Sequence, residues 1–273
     1  HLNSVWAGTI HGYMIKVSNL NVNNKKNKQF WETHLPEAAF DAVDVPTIDY
    51  IIIDEAQDIL SENYLLFLSA CLKGSLSEGH WLMLGDFCNQ NIYGKNNPDL
   101  LEKYGHFTSA TLRQNCRNTP RIVEALKQIC ELDENIYTST LRADNMENPT
   151  WKHYSSDQGQ INILAAVLKK QKKKYPNNKI VILSPNANGC ASKISGSLRK
   201  DLSTDPKKPR SIYYTTIQKF KGLEAQSIIL TDINAFIGND EKLFYVGASR
   251  ATSELTILYH ESAKPQLRKI IQN

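Results

Sequence analysis

The sequence at residues 50–58 is Tyr50-Ile51-Ile52-Ile53-Asp54-Glu55-Ala56-Gln57-Asp58, an aliphatic run that ends abruptly in acids. The aliphatic part predicts a strand buried on both faces of a parallel sheet. Because open α/β sheets bind ligands at the carboxyl ends of their strands, Asp54 and Glu55 are predicted to face a ligand crevice. One carboxylate can hold Mg²⁺ on the phosphates of a nucleotide while its neighbour orients and deprotonates a water molecule. The alternative use of these acids is to cap the helix that follows.

A second aliphatic run also ends in polar residues. Trp81-Leu82-Met83-Leu84 predicts the next buried strand, and Gly85-Asp86 begins a polar segment that includes Gln90 and Tyr93. Two neighbouring strands that deliver polar groups to one edge suit a phosphate-handling site, where donors, metal ligand and base must lie within hydrogen-bond reach.

The rest of the chain alternates predicted helices and strands, which indicates an α/β protein. Residues 5–17 predict a strand followed by a helix start, and Thr119 before Pro120 predicts the start of another helix. Residues 133–160 are polar and aperiodic and are predicted to form a surface connection. Further strands are predicted at residues 180–184, 211–215, 227–231 and 255–259, and further helices at residues 161–175, 191–201 and 241–251. The alternation restarts near residue 110, which predicts two domains, residues 1–110 and 111–273.

Composition limits the class of protein. The 273 residues are 41% hydrophobic and 22% charged, as in globular proteins, and give room for two domains. No apolar run approaches the 18 or more residues of a membrane span and the start does not resemble a signal peptide, so we expect an intracellular, cytoplasmic protein. The five cysteines form no C-x-x-C pair and suggest neither a disulfide framework nor a zinc site.

The net charge of +4 permits a polyanionic partner without requiring one. Lysines on the exposed side of the helix predicted at 161–175 are either a nucleic-acid patch or a solvated face.

The polar segments fall in a series that resembles five motifs of the UvrD/Rep-like superfamily-one DNA helicases. The matching segments are Asp54-Glu55-Ala56-Gln57-Asp58 for the second motif, Gly85-Asp86 with Gln90 and Tyr93 for the third, Leu112 with Asn115-Cys116-Arg117 for the fourth, Thr216 through Lys221-Gly222-Leu223-Glu224 for the fifth, and Tyr245-Val246-Gly247-Ala248-Ser249-Arg250-Ala251 for the sixth. Thr9-Ile10-His11 resembles the DNA-contacting segment that precedes the second motif. The resemblance spans residues 5–259.

This resemblance implies two RecA-like parallel-sheet domains that bind ATP and Mg²⁺, the first domain being incomplete at its N-terminus. It implies that Asp54 holds Mg²⁺ and that Glu55 activates water. Gln90 would sense the γ-phosphate, while Arg117 and Arg250 would neutralise its charge in the transition state. The other implied nucleotide contacts are Gln57, Gly222 and Glu224, the last on the ribose. The implied DNA contacts are Thr9, His11, Tyr93, Thr216 and Gln218, with the ring of Tyr93 able to stack on a base. The alternatives are a surface ion pair for each arginine, a packed loop aromatic for Tyr93, and ordinary turn residues for Thr9 and His11.

The chain also departs from the family pattern. The phosphate-binding sequence G-x-x-x-x-G-K-[ST] is absent, so we expect a carboxyl-terminal piece of a longer protein that is inactive without its upstream segment. Asp86 and Gln90 have three residues between them where the family usually has two. Cys116 replaces a tyrosine that stacks on adenine, and Gln218 replaces a histidine. The short insertions resemble compact helicases joined to a nuclease-related domain, which is therefore a candidate upstream partner in the same polypeptide.

The sequence thus predicts the motor portion of an ATP-dependent helicase or translocase that moves on single-stranded DNA, or at a junction of single strand and duplex. By family analogy, movement is 3′ to 5′. One alternative is a catalytically inactive helicase-like module that binds nucleic acid or a partner. The other is a metal-dependent nuclease built on Asp54, Glu55, Asp58 and Asp86.

Overall fold

The computed structural model describes residues 5–22, 27–87, 99–130, 132 and 136–272, with side chains described as far as residue 270. The chain divides into two compact units, unit 1 (residues 1–110) and unit 2 (residues 111–273).

Unit 1 is built on two parallel strands and the helices packed against them. Its strands are β1 (Tyr50–Ile53) and β2 (His80–Met83), which pair in parallel with Ile51 opposite Trp81. Its described α-helices are α1 (Ile10–Ser18), α2 (Leu35–Asp41), α3 (Glu62–Cys71), α4 (Ser75–Glu78) and α5 (Asp99–Glu102). A π-helical turn, Phe30–His34, runs directly into α2. Both strands lie where the sequence predicts them.

The core of unit 1 lies on one face of its sheet. Ile51 packs with Met14, Leu35, Leu65 and Phe67 of helices α1 to α3. On the opposite face, the side chain of Ile52 is 66% exposed and that of Leu82 is 42% exposed. The prediction that β1 is buried on both faces is therefore wrong for the part of the chain that is described, because the helices seen there cover one face only.

The amino end of unit 1 also differs from prediction. Residues 5–9 form no strand in the described structure, and the helix begins at Ile10 after the cap residue Thr9. A strand requires a neighbour to pair its backbone N–H and C=O groups, and β1 and β2 are the two strands described in this unit.

Unit 2 contains a parallel sheet of six strands in the order β5-β10-β9-β6-β8-β7. These strands are β5 (Thr150–Tyr154), β6 (Ile180–Ser184), β7 (Leu202–Ser203), β8 (Ile212–Thr216), β9 (Ala225–Ile233) and β10 (Ala251–His260). A separate parallel pair consists of β3 (Gln114–Asn115) and β4 (Ser139–Thr140). The α-helices are α6 (Pro120–Ile129), α7 (Asp157–Gln171), α8 (Gly238–Ala248) and α9 (Lys264–Gln272).

Helices cover both faces of the six-stranded sheet. Leu164 and Leu168 of α7 join the cluster around Ile180 and Ile182, which point to one face. On the other face Gly247 of α8 lies close to Leu230. Every residue of β6 is buried, as its unbroken aliphatic sequence predicts for a central parallel strand. The prediction of an α/β protein is confirmed.

Two segments of unit 2 differ from prediction. Residues 150–154, predicted to be part of a surface connection, form the edge strand β5, whose Lys152 and His153 are exposed. Residues 191–201, predicted to be one helix, form two short 3-10 segments, Cys190–Lys193 and Gly196–Asp201. Gly196 has a left-handed φ of 71°, which interrupts helical continuation. In the described parts of both units, no helix is long and apolar enough to cross a membrane.

Candidate functional site

The acids after β1 lie at the edge of the sheet in unit 1. Asp54 is exposed, and its Oδ1 accepts a hydrogen bond from the backbone N–H of Glu55 at 2.9 Å. Glu55 adopts a left-handed backbone conformation, with φ 54° and ψ 40°. That conformation costs a residue with a Cβ about 1–2 kcal/mol and concentrates at functional sites, so Glu55 is held in place by its surroundings.

The side chain of Gln57 supports that of Glu55 through a hydrogen bond. Its side chain is 1% exposed, and its Nε2 donates a short hydrogen bond to Oε2 of Glu55. Its Oε1 is buried without a hydrogen-bond partner among the described residues. Gly85 at the end of β2 allows this arrangement, because a Cβ there would overlap with the amide of Gln57. The segment that resembles the second motif therefore folds around the carboxylate of Glu55.

The ends of the two strands are joined by backbone hydrogen bonds. The N–H of Leu84 donates to the carbonyl of Ile53 at 2.8 Å, and the N–H of Ala56 donates to the carbonyl of Leu84 at 2.9 Å. The acids and Gly85 are thus neighbours at one sheet edge, as the sequence predicts. Gln90 and Tyr93, which were predicted to join them, lie outside the described residues.

The described carboxylates of this edge do not form a cluster that could hold a metal ion by themselves. In the described parts of the chain, no three His, Cys, Asp or Glu side chains are placed to hold a metal ion together. Magnesium in nucleotide sites is commonly bound by one or two carboxylates and by the phosphates themselves. The exposed carboxylate of Asp54 fits that kind of site.

Thr9 and His11 both have roles in the fold of unit 1. The Oγ1 of Thr9 caps α1 by accepting a hydrogen bond from the N–H of Gly12 at 3.1 Å. The ring of His11 packs edge-on against Trp31 and Tyr64, and its Nε2 lies 2.7 Å from the Tyr64 hydroxyl. Thr9 is exposed while His11 is partly buried, so Thr9 is the more accessible of the two candidate DNA contacts.

In unit 2 the structure brings together residues of the fourth and fifth predicted motifs. The Nε of Arg117 lies 3.1 Å from Oε2 of Glu224, although 107 residues separate them in sequence. Both side chains are partly exposed. The ion-pair alternative therefore describes Arg117 in this structure. Glu224 follows Gly222, whose φ of 83° gives the turn a left-handed conformation that favours glycine.

Arg250 occupies a different environment from Arg117. It is 1% exposed, and its Nε donates to the carbonyl of Val246 at 3.0 Å across the end of α8. Asn118 reaches the two carbonyls that flank Arg250, donating to Ser249 at 2.9 Å and to Ala251 at 2.6 Å. Asn118 is not among the predicted site residues. One signal in the sequence could have indicated it. Asn118 stands between Arg117 and the helix cap Thr119, so it does not itself cap the helix.

A cavity of about 270 Å³ lies at the carboxyl ends of β6 and β8. Thr216 lines it and accepts a hydrogen bond from the N–H of Lys219 at 3.3 Å, whereas Gln218 lies in the adjoining 3-10 turn. The other polar side chains that line it include Ser184, Asn186, Tyr214 and Lys219. Apart from Thr216, sequence reasoning missed these residues as a site, although Ser184 ends a predicted strand and so lies at the ligand-binding edge.

The lysines of α7 and its carboxyl end are partly committed to ion pairs. Lys172 pairs with Asp201 at 2.5 Å, and Lys174 pairs with Glu147 at 2.7 Å and Glu254 at 2.8 Å. Partial burial works against the charged form of Lys174, yet its hydrogen bonds to the two glutamates raise its pKa above the ordinary value. These contacts favour the solvated-face interpretation over a nucleic-acid patch for both lysines.

Comparison with known proteins adds a family resemblance in unit 2. A sequence family described as the UvrD-like helicase C-terminal domain matches residues 211–258, which run from the start of β8 into β10. A search of curated proteins finds no match. The solved structures that match include the C-terminal domain of a possible DNA helicase from Lactobacillus plantarum WCFS1, with 17% identity, a TM-score of 0.42, and coverage of 57% of this chain and 93% of that one. None of these matches supports a fusion to a nuclease-related domain. Residues 211–258 are thus similar to a UvrD-like helicase C-terminal domain.

Proposed function

We propose that this chain is the motor portion of an ATP-dependent DNA helicase or translocase, which couples ATP hydrolysis to 3′-to-5′ movement on single-stranded DNA. The observation that carries the proposal is the family match over residues 211–258. That segment contains five of the predicted site residues: Thr216, Gln218, Gly222, Glu224 and Arg250.

The proposed hydrolysis depends on positioned charges. Asp54 would hold Mg²⁺, which neutralises phosphate charge when bound. Glu55 would take the proton of the attacking water, and its left-handed backbone with the bond from Gln57 supports a fixed direction of the carboxylate. Arg117 and Arg250 would neutralise the charge that develops on the transferred phosphoryl group, since phosphoryl transfer is catalysed mainly by positioning and electrostatic stabilisation. Gln90 would contact the γ-phosphate.

Nucleotide binding would require a change at the Arg117–Glu224 pair. The proposed roles send Arg117 to a phosphate and Glu224 to the ribose, yet their side chains now contact each other at 3.1 Å. A partly exposed pair of this kind contributes little stability, typically below about 1 kcal/mol. It can therefore open for a ligand at small cost.

The proposed DNA contacts in unit 2 lie at the end of β8 and just after it, beside the cavity at the carboxyl ends of β6 and β8. Thr216 lines the cavity wall, and the exposed Lys219 supplies a cation near it. Hydroxyl, amide and ammonium donors are the groups that bind phosphate backbones without reading sequence. Gln218 is the other proposed contact in unit 2, while Thr9 and Tyr93 are proposed contacts in unit 1, with the ring of Tyr93 stacking on a base.

A second candidate function is a helicase-like module that binds nucleic acid or a partner without hydrolysing ATP. The observation that favours it is that both proposed arginines are engaged within unit 2, Arg117 with Glu224 and Arg250 with Val246.

ATP hydrolysis by the native-length protein, measured with and without single-stranded DNA, tests the proposal. We expect turnover that DNA stimulates and that Glu55→Gln lowers by about 100-fold or more, because the substitution removes the general base. The 273-residue chain alone serves as the comparison and is expected to be silent. If the native-length protein binds single-stranded DNA tightly but shows no turnover, the motor proposal is wrong and the binding module stands.

A further inference from the structure

We propose that Asn118 is a positioning residue that fixes the two arginines, Arg117 and Arg250, relative to each other. It would touch neither nucleotide nor DNA. Its effect on catalysis rests on the proposed function, whereas its effect on the geometry of the arginines does not.

The turn that carries Arg117 is held by a neighbouring asparagine. The Oδ1 of Asn115 accepts hydrogen bonds from the backbone N–H groups of Arg117 at 3.0 Å and of Asn118 at 2.8 Å. Asn115 is 6% exposed and belongs to β3, which pairs with β4. The backbone at Arg117 is therefore fixed to a strand of unit 2.

Asn118 connects this turn to the start of β10. Its Nδ2 donates one hydrogen to the carbonyl of Ser249 and the other to the carbonyl of Ala251. Its Oδ1 accepts from the Nδ2 of Asn115 at 3.1 Å. With 2% of its surface exposed, Asn118 uses both donors and its acceptor inside the protein.

The ordinary explanation of an asparagine in this position is helix capping, and the structure excludes it. The N-cap of α6 is Thr119, and the amide of Asn118 is directed to residues more than 130 positions away in sequence. The contacts flank Arg250 on both sides, so they define the course of the backbone on which this arginine is carried.

A third segment completes a ring of contacts. The N–H of Ala225 donates to the carbonyl of Arg250 at 3.1 Å, and the preceding Glu224 pairs with Arg117. Segments around residues 117, 224 and 250 are thus joined pairwise. The part of this ring formed by Asn115 and Asn118 is buried, and a buried polar network whose amide groups are satisfied favours a single arrangement. Positioning matters here, because a displacement of about 1 Å can lower a catalysed rate about 100-fold.

The first test measures the geometry of the arginines directly. In the 273-residue chain, the ¹H–¹⁵N resonances of the Nε–H groups of Arg117 and Arg250 are recorded for wild type and for Asn118→Ala. We expect both resonances to shift in the variant.

Asn145→Ala is the matched control. Asn145 also donates its amide to a carbonyl of β10, that of Ser253 at 2.7 Å, but its side chain is exposed. Unchanged arginine resonances in a folded Asn118→Ala protein would overturn the inference. If that variant does not fold, Asn118→Ser, which keeps a hydroxyl donor, is used with the same criterion.

The second test measures ATP hydrolysis by the native-length protein. We expect Asn118→Ala to lower kcat about 10-fold or more, with a smaller change in the KM for ATP, while Asn145→Ala stays near wild type. Adding Asn118→Ala to the double variant Arg117→Ala/Arg250→Ala should cause little further loss, whereas a merely structural role would give additive effects. A kcat equal to that of Asn145→Ala would contradict a catalytic consequence. If wild type itself hydrolyses no ATP, the proposed function fails, and the resonance test alone decides whether Asn118 positions the arginines.

Discussion

Tyr64 joins three parts of unit 1 through one hydroxyl group. It donates to the carbonyl of Trp31 at 2.9 Å, and Nε2 of His11 lies 2.7 Å away. Because the hydroxyl has a single hydrogen and gives it to Trp31, the bond with His11 requires His11 to donate from Nε2. Desolvation by burial, followed by the charge of Glu32, raises the pKa of Tyr64 from 10.0 to about 12.

This shift predicts a loss of stability in alkali. The folded state holds the Tyr64 proton more tightly than the unfolded state, so the stabilisation is complete below pH 10 and is lost as the pH rises from 10 to about 12. Tyr64→Phe should be less stable at pH 7 by about 1–2 kcal/mol, because two hydrogen bonds are removed. Its free energy of unfolding should fall less between pH 10 and 12 than that of wild type. Denaturant unfolding at each pH measures both quantities.

The control for Tyr64→Phe is Tyr50→Phe, which removes a hydroxyl from an exposed tyrosine of the same unit. Cys71 and Cys190 also lose stabilisation in alkali, since burial raises their thiol pKa values to about 11 and about 12. Some decline therefore remains in every variant. Parallel curves for wild type and Tyr64→Phe would show that Tyr64 does not carry this share of the pH dependence.

Single residues were predictable where a local rule fixes them. Asp54 and Glu55 follow an aliphatic strand, and Thr119 precedes Pro120, so their places at a strand end and a helix start follow from sequence. Asn118 was missed, because its partners lie at Ser249 and Ala251 and no local pattern indicates a contact so distant in sequence.

At the level of elements, helix α8 packs against the sheet through a glycine. A Cβ at Gly247 would lie 2.9 Å from Cδ2 of Leu230 and 3.1 Å from Cδ1 of Ile217. Gly247→Val should therefore destabilise the protein by about 1–3 kcal/mol, because overpacking moves the helix off the sheet. Thermal or denaturant unfolding measures this loss.

Ala166→Val is the matched control for Gly247→Val, since Ala166 lies on an exposed position of α7. Its cost should stay below about 0.7 kcal/mol, the range of intrinsic helix propensity. Equal losses in the two variants would indicate that valine is unfavourable in a helix generally, and that α8 is not tightly packed at Gly247.

Elements were predictable in proportion to the burial of their residues. The central strands β6, β9 and β10 are aliphatic because both of their faces are covered, and all three were predicted. The edge strand β5 has the sequence Thr150-Trp151-Lys152-His153-Tyr154. Because its exposed residues are polar, like the region before it, the sequence predicts no strand there. For β1 the opposite error arose: its aliphatic sequence predicts burial on two faces, and Ile52 is exposed.

At the scale of the whole molecule, the sequence predicted a helicase-related α/β chain, and the comparisons support that relation through residues 211–258. The two RecA-like domains and the nucleotide site remain predictions. Their residues are spread over unit 1 and unit 2, and the family match falls within unit 2. Gln90 and Tyr93 lie outside the described residues, so the third motif also stays a prediction.

The net charge of +4 is too small to identify a nucleic-acid protein, so a test of DNA binding has to depend on where single charges lie. Lys219 is exposed beside the cavity that Thr216 lines, whereas Lys173 is exposed near the end of α7. If the cavity binds the phosphate backbone, Lys219→Ala should weaken single-stranded DNA binding for every sequence. It should also reduce the slope of log K against log salt by about 0.7, the value for one phosphate contact on a single strand.

Lys173→Ala removes the same charge from the molecule and should change neither the affinity nor the salt slope by a comparable amount. Fluorescence anisotropy of labelled single strands over a salt series measures both, and equal effects of the two substitutions would mean that total charge, rather than the cavity, attracts the DNA.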